Sequence, residues 1–214
     1  EGAEVEIEGA HIESLDPEGD FTGVLVEPGA RAILSRNTIV GSRWGVKIEA
    51  GASQPVIKHN LFINNIEGVY LKAPALVQEN TFIDGGITLE LEGPQGAVIQ
   101  RNTFLRGSLG ISVKKGQAQI LENMIHDNRN GIWIEGPSEL KISRNMILRN
   151  GRFGVALTVG DCFSFLGFPR SLDVQLSGQE NLIADNGRKD PLGIQDYGGD
   201  LCPSDFPWPP GFKK

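Results

Sequence analysis

Lys47, Tyr70 and Trp133 occupy one and the same place in successive short segments, and Glu49, Lys72 and Glu90 occupy the place two residues later. Residues of these types can act on a sugar polymer. A lysine beside a bound hard cation can take a proton next to a carboxylate. Lys47 or Lys72, with Tyr70, is thus the candidate base of a Ca²⁺-assisted lyase of acidic polysaccharide. Glu49, Glu90 and Glu92 are the candidate oxygen ligands for that calcium. Without any reaction, the rings of Tyr70 and Trp133 are candidate stacking platforms, with Lys47 and Lys72 as charged contacts to a bound glycan.

What must position these side chains is a repeat. The segments INNIEGVYLKAP, LRGSLGISVKKG, HDNRNGIWIEGP and LRNGRFGVALTVG share G-[IV]-x-[IVL], and an N-x-[IF] element precedes each. Its asparagines are Asn37, Asn60, Asn80, Asn102, Asn123, Asn145 and Asn181, spaced 23, 20, 22, 21, 22 and 36 residues apart, the last interval holding an insertion. Apolar pieces of three to five residues, rich in Val, Ile and Phe and alternating in and out, are strand chemistry and too short for helices. Three strands per turn and a period above 20 residues predict an all-β parallel solenoid of about eight coils, a rod ~35 Å long at ~4.8 Å per coil.

An inward asparagine at a bend in every coil is expected to bond the coils above and below, since buried backbone groups need partners. Asparagine also tolerates the left-handed backbone that a tight corner needs. The strand-opening glycines Gly45, Gly68, Gly86, Gly110, Gly131 and Gly154 mark a second corner, through positive φ or close backbone approach.

On these residues the chain resembles the right-handed parallel β-helix repeat of the pectate-lyase-like superfamily, in its periplasmic copper-protein-associated and carbohydrate-binding branch. The motif N-[TLM]-[IF]-x-x-N-x-x-G-[IV]-x-[IVL] carries the resemblance strongly over residues 20–160 and weakly at both ends. The resemblance implies the fold and its handedness. Function it constrains little, because the superfamily includes lyases, hydrolases, epimerases, adhesins and non-catalytic modules. Its enzymes usually place their clefts on the face of the G-[IV] strands.

Equivalent positions of a solenoid stack into columns. On the G-[IV] strands the first outward column reads Leu25, Lys47, Tyr70, Thr88, Ser112, Trp133, Ala156, and the second Glu27, Glu49, Lys72, Glu90, Lys114, Glu135, Thr158. Tyr70 and Trp133 lie three coils apart, ~14 Å. The second column alternates in sign from Glu49 to Glu135, as a solvated sheet face would. So does the position before each ladder asparagine, from Glu79 onward: Glu79, Arg101, Glu122, Arg144, Glu180. Paired aspartates for glycoside hydrolysis are absent from these columns. The tetrapeptide Asp16-Pro17-Glu18-Gly19 lacks the histidine an epimerase-like motif would have, and His11, His59 and His126 have no metal-ligand spacing. Charge ladders that explain themselves favour a non-catalytic module, structural or binding, that needs no cofactor.

On the N-x-[IF] strands Ile39, Phe62, Phe82, Phe104, Ile125, Ile147 and Ile183 point inward. Their outward neighbours, Met124 and Met146 among them, form an apolar stripe. Such a stripe is expected to meet a second copy, a protein partner or the chain's own tail. It motivates a third reading, a subunit docked in a larger cell-surface complex.

The 214 residues read as a single domain. Residues 1–22 form a degenerate acidic coil, 23–157 regular coils, 158–176 an inserted loop, 177–197 the last coil and 198–214 a proline-rich capping tail. Phe163, Phe165, Phe168, Phe206, Trp208 and Phe212 are the candidate aromatics of the cap. Cys162 and Cys202 are the only cysteines and are expected to form a disulfide, which points to an extracellular, periplasmic or cell-surface location. No stretch approaches the ~20 apolar residues of a membrane span, and no signal-peptide segment is present, so the chain reads as mature or trimmed. The formal net charge of −7 argues against nucleic acid. Eight acids and no Lys or Arg fall in residues 1–20, which leaves the remainder nearly neutral.

Overall fold

The computed structural model describes residues 3–14, 20–158, 162, 173–189, 196–204 and 206–212. They form a right-handed parallel β-solenoid with three strands per coil. The strand that begins each coil belongs to a leading sheet that runs from Glu4–Glu8 to Val174–Ser177. An asparagine sheet of eight three-residue strands runs from His11–Glu13 to Leu182–Ala184; its six inner strands have a coil on either side. A glycine sheet carries the G-[IV] strands, from Thr22–Val26 to Gly199–Cys202. One unbroken strand, Leu109–Leu121, serves the glycine and leading sheets in turn and joins them.

Strict period-two alternation puts one apolar column of each sheet on the axis. Ile39, Phe62, Phe82, Phe104, Ile125, Ile147 and Ile183 are all at most 3% exposed. Phe62, Phe82 and Phe104 stack with ring centroids 4.6 and 4.7 Å apart, nearly parallel, because the coil spacing matches the spacing of offset aromatic rings. Val46, Val69, Ile87, Ile111, Ile132 and Val155 fill the glycine side of the same core.

The asparagine ladder is continuous. Each Oδ1 accepts the backbone N–H and the Nδ2 of the asparagine one coil earlier, from Asn37 through Asn60, Asn80, Asn102, Asn123 and Asn145 to Asn181. The left-handed backbone lies one residue earlier than expected: Arg36, His59, Glu79, Arg101, Glu122, Arg144 and Glu180 have φ between 54° and 58°, and the asparagines do not. Hydrogen-bonded asparagines fix the chain on the inner side of the bend, so the outward residue before each one takes the strained conformation.

A second corner follows each three-residue strand. It has its own left-handed column, Gly41, Asn64, Asp84, Arg106, Asp127, Arg149 and Asp185, and its own ladder, in which Asn128 bonds Asn150 and Asn150 bonds Asn186. The strand-opening glycines are there for close approach, not for positive φ. A Cβ on Gly131 would sit 2.4 Å from the carbonyl oxygen of Gly154 in the next coil.

Cys162 and Cys202 form a disulfide, Cα–Cα 5.9 Å. The segment read as a tail begins differently from expectation: Gly199–Cys202 pairs in parallel with Phe153–Leu157 and adds a strand to the glycine sheet. The cap proper starts at Pro203, where proline removes the donors a strand needs. Trp208 and Phe212 are buried, 4% and 2% exposed, with Phe206 edge-on to Trp208. The Gly211 carbonyl accepts from Asn181 Nδ2, and Asp200 Oδ1 accepts from the N–H and Nδ2 of Asn186, so the tail closes both ladders. Phe163, Phe165 and Phe168, and the tetrapeptide at 16–19, lie outside the described residues.

Candidate functional site

The glycine sheet places Lys47, Tyr70, Thr88, Ser112 and Trp133 in one outward register, coil after coil. Two small side chains therefore lie between two aromatic ones, and the surface dips there. The hollow is about 250 Å³ and is lined by Glu67, Thr88, Ser112, Lys114 and Glu135, with Ile66 and Leu109 among its apolar walls. Thr88 and Ser112 are 7% and 2% exposed, and the Ser112 hydroxyl donates to Glu135 Oε1 at 2.8 Å. The register shifts between Leu89 and Glu90, so Glu90 lies opposite Lys115 instead of Lys114, and Lys114 is left over the hollow's edge.

Tyr70 is 7% exposed, and neither of its ring faces is an open platform. Trp44 stacks on it at 6.2 Å, the ammonium groups of Lys72 and Lys114 lie 5.6 and 5.2 Å from its centroid, and its hydroxyl donates to Glu90 Oε2. Burial, then the bond to Glu90, pushes the phenol well above its ordinary pKa. That is the wrong direction for a base. Trp133 is half-buried, in register with Ser112 on one side and Ala156 on the other.

The residues of the lyase constellation do not converge on a cation. Glu49 bonds Lys47 at 2.6 Å and Lys72 at 3.5 Å, and the hydrogen bond from Lys47 draws its carboxyl below the usual range. Both candidate basic lysines thus pair with one carboxylate. Glu90 is taken by Tyr70 and Lys114, and Glu92 by Lys115 at 2.6 Å. Among the described residues no three His, Cys, Asp or Glu side chains come together to hold a metal, so these glutamates do not fit the calcium site. His11, His59 and His126 each lie against a carboxylate, of Glu13, Glu79 and Asp127.

Two residues that the column reading passed over lie at the core of this face. Trp44 and Glu67 are register partners on adjacent coils, each just before the strand glycine. Alternation would turn them inward. The bend at the glycine carries them outside, where Trp44 meets Tyr70 and Glu67 meets the hollow. Lys47 and Arg43 lie 4.7 and 4.6 Å from the indole centroid. Burial raises the Glu67 carboxyl above its ordinary pKa, opposed by a hydrogen bond from Thr88. Trp44 Nε1 and Glu67 Oε2 are both shut off from solvent and have no hydrogen-bond partner. Only the sequence contrast was available to find them: at that position other coils carry Thr22, Leu109 and Phe153.

On the asparagine sheet, Met124, Met146 and Leu182 are register neighbours, 41%, 39% and 49% exposed, so the apolar stripe faces outward as expected. No helix among the described residues is long and apolar enough to cross a membrane.

A family model described as right handed beta helix region matches residues 1–147 and, in a second placement, 73–168. Comparison with curated proteins and with solved structures returned no match.

Proposed function

Since the chain belongs to the right-handed β-helix family, we propose that it is a non-catalytic, extracytoplasmic module that binds a carbohydrate chain on the outer face of its glycine sheet. One observation carries this reading: the hollow between the Tyr70 and Trp133 coils, lined by hydroxyl, carboxylate and ammonium groups over apolar walls. Sugar sites combine such polar groups with apolar and aromatic surface. Trp133, half-buried, lies in register with Ser112 one coil on. The disulfide supports an oxidising compartment, outside the cytoplasm. Ion pairing of Lys47 and Lys72 with Glu49 speaks for binding over proton abstraction.

The test is a glycan array followed by calorimetry on the purified chain with its disulfide intact. Ser112→Tyr, which fills the hollow, is expected to abolish binding, while Met146→Lys on another face leaves it unchanged. Binding that survives Ser112→Tyr, or no glycan binding at all, would sink the proposal.

A second reading rests on the exposed Met124, Met146 and Leu182, which favour docking of this face in a larger assembly. Light scattering after size exclusion separates the two. A strict monomer, unchanged by Met146→Lys, removes self-association through the stripe.

A further inference from the structure

Resting on the carbohydrate reading, we infer that the hollow selects a neutral, hydroxyl-bearing sugar unit and refuses a uronate, with Glu67 and Glu135 as the carboxylates that meet the sugar's hydroxyls and repel its acid.

Charge comes first. The hollow is lined by two carboxylates, Glu67 and Glu135, against one ammonium, Lys114, which already lies 4.0 Å from Glu90. A uronate carboxylate entering there meets two like charges and a cation that is already shared. Burial disfavours the charge on Glu67 even before any ligand arrives, and a second anion in the same desolvated place raises that cost.

Hydrogen bonding comes second. The two carboxylates accept from a sugar's hydroxyls, and the Thr88 and Ser112 hydroxyls, both more than nine-tenths buried, add donor and acceptor capacity on the floor without adding charge.

The experiment is calorimetric titration of the full disulfide-bonded chain at neutral pH with cellohexaose, xylohexaose, mannohexaose and hexagalacturonate, repeated on Glu67→Gln. Wild type is expected to bind at least one neutral hexamer about 10-fold or more tighter than hexagalacturonate, the scale of a charged contact. Glu67→Gln should narrow the gap between neutral and acidic hexamers. A thermal melt of the variant establishes that it is folded. Tighter binding of hexagalacturonate, or a gap that Glu67→Gln leaves untouched, overturns the selectivity while leaving carbohydrate binding standing. Silence with all four hexamers overturns the selectivity and the carbohydrate reading together.

Discussion

Replacing Asn102 by alanine probes the ladder at its middle, where both neighbouring coils are complete. Asn102 is 1% exposed. Its Oδ1 accepts from the Asn80 backbone N–H and Nδ2, both at 3.0 Å, and its Nδ2 donates to the Val77 carbonyl at 2.9 Å and to Asn123 Oδ1 at 3.1 Å. After substitution, Asn80 Nδ2 keeps the Ile57 and Gln78 carbonyls, and Asn123 Oδ1 keeps the Asn102 backbone N–H. The Asn80 N–H loses its partner, and the Val77 carbonyl, which lies in a paired strand, loses one of its donors. Leaving a buried group unsatisfied costs about 1–3 kcal/mol, so the Asn80 N–H alone predicts a loss of about 1–3 kcal/mol. The assay is urea unfolding followed by far-ultraviolet circular dichroism and tryptophan fluorescence, with Thr103→Ala as control. Thr103 is half-buried on the outer face of the same coil and is expected to change stability by about 0.5 kcal/mol or less. A solenoid can unfold in parts, so the two probes should be compared before a free energy is extracted. A loss below about 1 kcal/mol for Asn102→Ala would refute the idea that the ladder satisfies otherwise orphaned backbone.

Three further outcomes follow from charges and covalent links. Glu67 has a carboxyl pKa raised above its ordinary 4.5 by burial, with Thr88, Lys114 and Arg43 opposing the rise and Glu135 adding to it; ionising it therefore costs stability as pH climbs past 4.5 toward the folded value. Glu67→Gln should accordingly melt higher than wild type at pH 7, and the gain should vanish below pH 4.5; a gain that persists in acid would contradict the assignment. Asp127 is held down at about 2 by hydrogen bonds from Arg149 and then His126, so its contribution is complete above 3.8 and is lost as pH falls toward about 2. With the side chain 41% exposed, Asp127→Asn should cost under about 1 kcal/mol at pH 7 and nothing near pH 2, measured by pH-dependent melts. Reducing the Cys162–Cys202 disulfide, which spans 40 residues, should cost roughly 3–4 kcal/mol of unfolding free energy by chain entropy, read by denaturation with and without reductant.

The repeat made the solenoid, the inward core columns and the asparagine ladder legible in the sequence, because stacking turns a period of about 21 residues into columns of like residues. Ser42, Gly85 and Gly107 interrupt the second ladder, and Asn65, Asn128, Asn150 and Asn186 did not read as a continuous one. At the asparagine corner the left-handed residues are arginines, glutamates and one histidine, and neither arginine nor glutamate favours that backbone; their position follows from the bend and not from their type. On the glycine sheet, Lys47, Tyr70 and Trp133 were found by alternation. Tyr70's burial was not, since it depends on Trp44, a residue that alternation turns inward. Trp44 and Glu67 escaped for the same reason: period-two reasoning fails at a bend, and the bend is where this face gathers its polar groups.

The central claim, that the hollow of the glycine sheet holds a neutral saccharide, is tested most directly by amide chemical-shift mapping during titration with the four hexamers. The account predicts saturable shifts centred on Glu67, Thr88, Ser112 and Trp133 with a neutral hexamer and weaker ones with hexagalacturonate. Shifts confined to the Met124–Met146 face, or none on the glycine sheet, would contradict it.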